Sequence, residues 1–111
     1  LLGLISSGMN GQRFTFNGYL PINLKERIKQ LKYLEKKSIK NDETQIFIET
    51  PYRNNQLLDL IIKTLSPNTS LSIASCLDSN NEKIISLPLL EWKKEKIDLN
   101  KKPTVFLIGI K

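Results

Sequence analysis

The chain has 111 residues, 40% of them hydrophobic and 25% charged, a balance that fits one globular domain with a modest core. A single cysteine and no histidine exclude an internal disulfide framework, histidine-based zinc ligation and a histidine general base; no apolar run reaches the ~20 residues of a membrane span. The net charge of +6 favours an anionic partner such as nucleic acid, and a solubilising lysine surface would produce the same number.

Leu1-Leu2-Gly3-Leu4-Ile5 opens on an apolar face, and Ser6-Ser7-Gly8 reads as a helix end with Gly8 as its left-handed cap. With no initiator Met and no secretory signal pattern, residues 1–7 are expected to be the remnant of a preceding helix, in a piece of a longer cytoplasmic protein. Met9–Gln12 is a turn. Arg13–Tyr19 alternates Phe14 and Phe16 with Thr15 and Asn17, the period of a strand, and Gly18–Pro21 is a loop where backbone could approach a ligand.

Asn23-x-x-Glu26 is a capping-box variant that opens a helix to about Lys37. Leu24, Ile28, Leu31 and Leu34 or Glu35 supply its buried stripe. Lys25, Arg27, Lys29, Lys32, Lys36 and Lys37 cover the other face. With Lys40 they make seven basic residues against Glu26 and Glu35, so most of the excess charge lies here. This face is either solvated or an electrostatic footprint for RNA.

After a polar connection, Thr44–Thr50 is a central strand, apolar on both faces. Thr50 as N-cap and Pro51 at the first position then start a helix to about Leu65, buried through Leu57, Leu58, Ile61, Ile62 and Leu65. Ser66-Pro67-Asn68 stops it. Ser70–Leu77 and Glu82–Leu87 form a hairpin of strands, with Cys76 as a small core residue. Pro88–Lys96 is a short helix carrying Trp92, Ile97–Lys102 a charged linker, and Pro103–Ile110 a last apolar strand. This order predicts an α/β domain: a mixed sheet of about five strands with helices on both faces.

The chemistry in the chain is sparse. It has no Gly-rich phosphate loop, no metal-ligand spacing and no nucleophile–base pair. Of eleven carboxylates only Glu49, in Thr44–Arg53 (TQIFIETPYR), stands at the end of an apolar strand beside a helix start, where α/β proteins place ligand contacts. An ion pair of Glu49 with Arg53 would look the same in sequence. Half of a site, completed by another domain, fits this inventory.

Four stretches resemble the tetrapyrrole methylase superfamily of S-adenosylmethionine (SAM)-dependent methyltransferases, and within it the bacterial small-subunit ribosomal RNA cytidine-2′-O-methyltransferases. They are Ser7-Gly8-Met9 with Arg13-Phe14-x-Phe16-x-Gly18-Tyr19-Leu20-Pro21; Ile46–Arg53; Leu71–Ala74; and Pro103-Thr104. The resemblance covers nearly the whole chain and implies the C-terminal domain of a two-domain enzyme, with SAM in the cleft shared with an N-terminal domain. It also implies a homodimer acting on ribosomal RNA, or on a tetrapyrrole or other small molecule. A non-catalytic RNA-binding or dimerisation domain on the same scaffold is the third reading.

By position, the resemblance places Glu49, Thr50, Ala74, Leu77 and Thr104 at the cofactor, with Glu49 also a candidate catalytic base. Gly18, Tyr19, Leu20, Pro21 and Arg53 lie on the substrate side. Two departures stand out: Tyr52 replaces the family's usual His, and Ser75-Cys76 replaces the Arg-Glu pair of the ribosomal RNA group.

Overall fold

The computed structural model describes residues 13–78 and 81–109, the side chains of 76–78 and 81 excepted. The helix remnant expected at Leu1–Ser7, its Gly8 cap, the Met9–Gln12 turn, the Cys76 and Leu77 side chains and the end of the Pro103–Ile110 strand lie outside the described residues.

The Phe-Thr-Phe alternation forms β1 (Phe14–Tyr19). Gly18, assigned above to the following loop, belongs to this strand. It takes φ +68 where the register shifts between Phe16 and Tyr19, a bulge that a left-handed glycine allows without strain.

Asn23 then caps α1 (Leu24–Asn41): its side chain accepts from the Glu26 amide at 3.1 Å, as the capping box predicts. The helix runs past Lys37 to a left-handed Asp42. Its buried stripe is also rotated from the expected one. Arg27, Leu31, Leu34 and Ser38 face inward, and Leu24 is 63% exposed. The reason is Arg27, which is drawn in by polar partners described below.

β2 (Thr44–Ile48) follows, then a 3-10 turn (Pro51–Arg53) and α2 (Asn54–Thr64). The helix expected from Pro51 therefore starts three residues later. Thr50 makes no side-chain cap; the Arg53 amide bonds to the Thr50 carbonyl at 2.9 Å and tightens the turn. The buried positions of α2 are the expected ones, with Leu57, Leu58 and Ile61 inside and Leu65 just beyond its end.

β3 (Ser70–Asp78) and β4 (Asn81–Pro88) pair antiparallel, as the hairpin reading requires. The helix expected over Pro88–Lys96 is a single turn, α3 (Leu89–Trp92), with Pro88 ending β4. Trp92 is buried and its Nε1 donates to the Leu71 carbonyl at 2.9 Å, which fixes this turn on the sheet. The chain then crosses back, the Lys101 amide reaching the Pro51 carbonyl at 3.2 Å, and enters β5 (Thr104–Gly109).

The sheet order is β1-β2-β5-β3-β4. Only β1 and β2 are parallel, and the other neighbours are antiparallel. Alternate side chains of the inner strands, Phe47, Leu71, Ile73, Phe106 and Ile108, join Leu31, Leu34, Leu57, Ile61, Leu89 and Trp92 in the main core. Phe47 and Phe106 stack at its centre, ring centroids 5.9 Å apart. All three described helices contribute to this face. Ile46, Leu107 and Val105 form a second cluster on the opposite face.

Candidate functional site

The topology gathers the candidate residues at one end of the sheet. β1 and β2 run parallel and finish together, with Tyr19 opposite Ile48. β5 begins beside that end, with Val105 opposite Ile48. β3 finishes there, with Ala74 opposite Val105 and Ser75 opposite Thr104. Gly18–Pro21, Glu49-Thr50, Ala74–Leu77 and Thr104 are far apart in sequence yet share this edge.

Their side chains divide between the two faces. Glu49 continues the parity of Phe47 and points to the helix-covered face. It is buried, and both carboxylate oxygens are engaged. Oε1 accepts from the Thr50 amide at 2.7 Å. Oε2 lies 2.5 Å from Arg27 Nη2, an ionic contact without ideal hydrogen-bond alignment. Arg27 Nε in turn donates to the Pro21 carbonyl at 2.8 Å. One buried arginine thus ties the β1–α1 loop to the end of β2. The ion pair that sequence left open for Glu49 is made by Arg27, not Arg53.

Thr104 is buried on the same face, and its hydroxyl donates to the Lys102 carbonyl at 2.9 Å and lies 3.3 Å from the Ser75 hydroxyl. Ala74 is buried on the opposite face, across from Val105. Thr50 is exposed. Tyr19 is 64% exposed and Pro21 is exposed, whereas Leu20 between them is buried in the core.

Arg53 is exposed on the rim of an open cleft of about 600 Å³ between the start of α1 and α2. Ile22, Leu24, Arg27 and Lys63 also line it.

Sequence reasoning misses three of the residues that organise this end. Arg27 reads as part of the solvated basic face, although its spacing to Leu31, Leu34 and Ser38 puts it on the buried phase of the helix. Asn54 gives no sequence signal. It is buried, and its Nδ2 donates to the Lys102 carbonyl at 2.7 Å and the Leu99 carbonyl at 3.3 Å, fastening the crossing segment to the start of α2. Asp98 accepts from Asn55 Nδ2 and from the Asn100 amide, both at 2.9 Å. These bonds hold its carboxyl below the ordinary value.

No family model matches the chain. Over 97% of its length it is 33% identical to the ribosomal RNA small subunit methyltransferase I of Buchnera aphidicola subsp. Schizaphis graminum. Two solved structures share its fold. The methyltransferase CobJ superposes with a TM-score of 0.58 at 18% identity, over 98% of this chain and 46% of CobJ. The uroporphyrin-III C-methyl transferase from Thermus thermophilus, solved with S-adenyl homocysteine, gives 0.51 at 11% identity, over 96% of this chain and 48% of that one. Over nearly its whole length the chain is thus similar to a ribosomal RNA methyltransferase, and it shares its fold with two further methyltransferases.

The chain has the mixed five-stranded α/β sheet that its sequence implied. It spans 38% of the length of the curated relative and under half of each solved structure. No described helix is long and apolar enough to cross a membrane, and no described group of acidic or cysteine side chains is arranged to hold a metal ion.

Proposed function

We propose that the chain is the C-terminal domain of a cytoplasmic, homodimeric SAM-dependent methyltransferase acting on small-subunit ribosomal RNA, at the 2′-oxygen of a cytidine. An N-terminal domain completes its cofactor cleft. The observation that carries this reading is the convergence of four separate segments on one sheet end, in a chain 33% identical to a ribosomal RNA methyltransferase that it spans only in part.

The residues at that end suit an adenosine. Ala74 is small, and the exposed hydroxyl of Thr50 and the strand-end backbone, including that of Thr104, offer donors and acceptors of the kind a nucleoside needs. SAM supplies an electrophilic methyl group on a sulfonium, and its transfer is an in-line displacement in which positioning and exclusion of water do much of the work. Leu77 adds a backbone contact in this reading. Gly18–Pro21 and Arg53 border the acceptor side, with Arg53 exposed toward phosphate. Glu49 is a positioning residue: Arg27 and the Thr50 amide occupy its carboxylate, so it sets the path of the strand end. A ribose hydroxyl needs a base as its proton leaves, and that base is assigned outside the described residues.

The tetrapyrrole alternative rests on Ser75. It is buried against Thr104 in place of the ribosomal RNA group's Arg-Glu pair, so this chain lacks a charge that an RNA enzyme of that group keeps there.

Calorimetry of SAM binding to the parent protein and to this chain tests the shared cleft. The parent is expected to bind SAM and this chain alone to show no measurable heat; tight binding by this chain alone overturns it. Tritium transfer from SAM to small-subunit ribosomal RNA, taken from a strain lacking the gene, separates the substrates. Incorporation is expected into RNA, whereas labelling of a uroporphyrinoid alone would favour the tetrapyrrole reading.

A further inference from the structure

The basic face of α1 is more ordered than its sequence suggested. With Arg27 turned inward and Lys37 half-buried 3.9 Å from the Glu43 carboxylate, Lys25, Lys29, Lys32, Lys36 and Lys40 remain, all exposed, at the i, i+4, i+7, i+11, i+15 spacing of a single helix face. The row lies opposite the buried positions 27, 31, 34 and 38 and runs about 22 Å along the helix, at 1.5 Å per residue. Among the described residues, none of the five forms an ion pair with a carboxylate.

The two acidic residues of the helix lie off the row. Glu26 occupies the first turn, and the Glu35 carboxylate is used internally, accepting from the Ser66 amide at 2.8 Å and Thr69 Oγ1 at 2.6 Å. Solvated faces usually intersperse both signs, because like charges at i, i+4 destabilise a helix by about 0.2–0.5 kcal/mol per pair. This face carries three such lysine pairs: 25–29, 32–36 and 36–40. It also carries an exposed aromatic, Tyr33, one turn from Lys29 and Lys36 and 56% exposed. The row starts near the sheet end that holds Glu49, and the neighbouring cleft, which none of the five lysines lines, carries Arg53 and Lys63 together with Asp59.

We propose that this lysine row is a docking rail for the RNA backbone. It tracks consecutive phosphates along α1 and leads the strand toward the candidate cleft, with Tyr33 stacking on an unpaired base. The proposal rests on the RNA reading above and places the interaction on a named surface outside the cofactor cleft.

The test is the affinity of the chain for a labelled single-stranded RNA of mixed sequence, measured by fluorescence anisotropy between about 50 and 200 mM salt. The variant K29Q/K32Q/K36Q keeps good helix formers. It is expected to weaken binding roughly tenfold or more and to reduce the salt slope by about two, at ~0.7 for each phosphate no longer neutralised. K93Q/K94Q/K96Q removes the same charge from exposed lysines of the crossing segment and is expected to leave the slope unchanged. Tyr33→Leu is expected to lower affinity with no change in slope. Circular dichroism confirms that each variant is folded.

Equal weakening in both triple variants, no RNA binding by the wild-type chain, or binding to phosphatidylserine vesicles but not to RNA would each overturn the rail. The measurement needs neither SAM nor methyl transfer. A parent that methylates ribosomal RNA while K29Q/K32Q/K36Q binds normally defeats the rail alone. A rail that behaves as expected in a parent without methyl transfer defeats the enzymatic reading alone.

Discussion

Arg27 and Glu49 are both nearly inaccessible to solvent, and each is the other's counter-charge. Removing charge from water costs several kcal/mol per ion, which the pair and its extra bonds to Pro21 and Thr50 offset. Breaking the pair on one side leaves a buried carboxylate alone. Arg27→Met is therefore expected to cost about 3–5 kcal/mol, read as a drop in the urea midpoint. The double variant R27M/E49L is expected to recover most of that stability, because two apolar side chains of similar volume leave no unpaired charge. If R27M alone is neutral, the pair is not buried in solution. Sequence showed Glu49 as the one carboxylate at an apolar strand end, but its partner was hidden: one arginine among seven basic residues of a helix differs from the rest only in phase.

Between elements, Glu43 does for the start of β2 what Glu49 does for its end. Its carboxylate accepts from the Thr15 hydroxyl of β1 and from Gln45 Nε2 at 2.9 Å, and lies 3.9 Å from Lys37 Nζ of α1. These interactions, Thr15 first and Gln45 next, hold its pKa below the ordinary 4.5. Because the folded value is the lower one, this stabilisation is fully present above about pH 4.5 and is lost as the pH falls through the depressed value. Thr15→Val removes the largest cause. It is expected to shrink the gap between urea midpoints at neutral and acid pH; an unchanged gap would show that the bond does not persist in solution. The bounds of the other elements were legible wherever local signals act alone. The Asn23 cap and the α2 stripe are examples, whereas α3 is shorter than expected because Trp92 docks on Leu71 and the chain then leaves for Pro51.

For the whole molecule, stability is centred on the stacked Phe47 and Phe106, which belong to adjacent strands and are completely buried. Phe106→Ala is expected to cost about 3–5 kcal/mol, a large part of the roughly 5–15 kcal/mol typical of a domain, and to lower the thermal midpoint accordingly. A cost below about 1 kcal/mol would place the centre of the core elsewhere. The same sheet explains why a site can be assembled from dispersed residues. Parallel β1 and β2 end where β5 begins and β3 ends, so one edge collects four segments.

By itself, the sequence determined the class of fold, the number and order of the strands and helices, and the four segments that carry the family likeness. The fold class and the order of elements follow from period, capping and composition, which act over a few residues; the likeness rests on the identity of the residues in those four segments. The tertiary structure alone decided that Leu24 lies outside, that Glu49 is held by Arg27 of a helix rather than by Arg53, and that the five lysines are exposed. Each of these depends on the rotation of α1 about its axis. That rotation buries Leu31 and Leu34 in the core and joins Arg27 to Glu49, 22 positions away, a contact that no local pattern encodes.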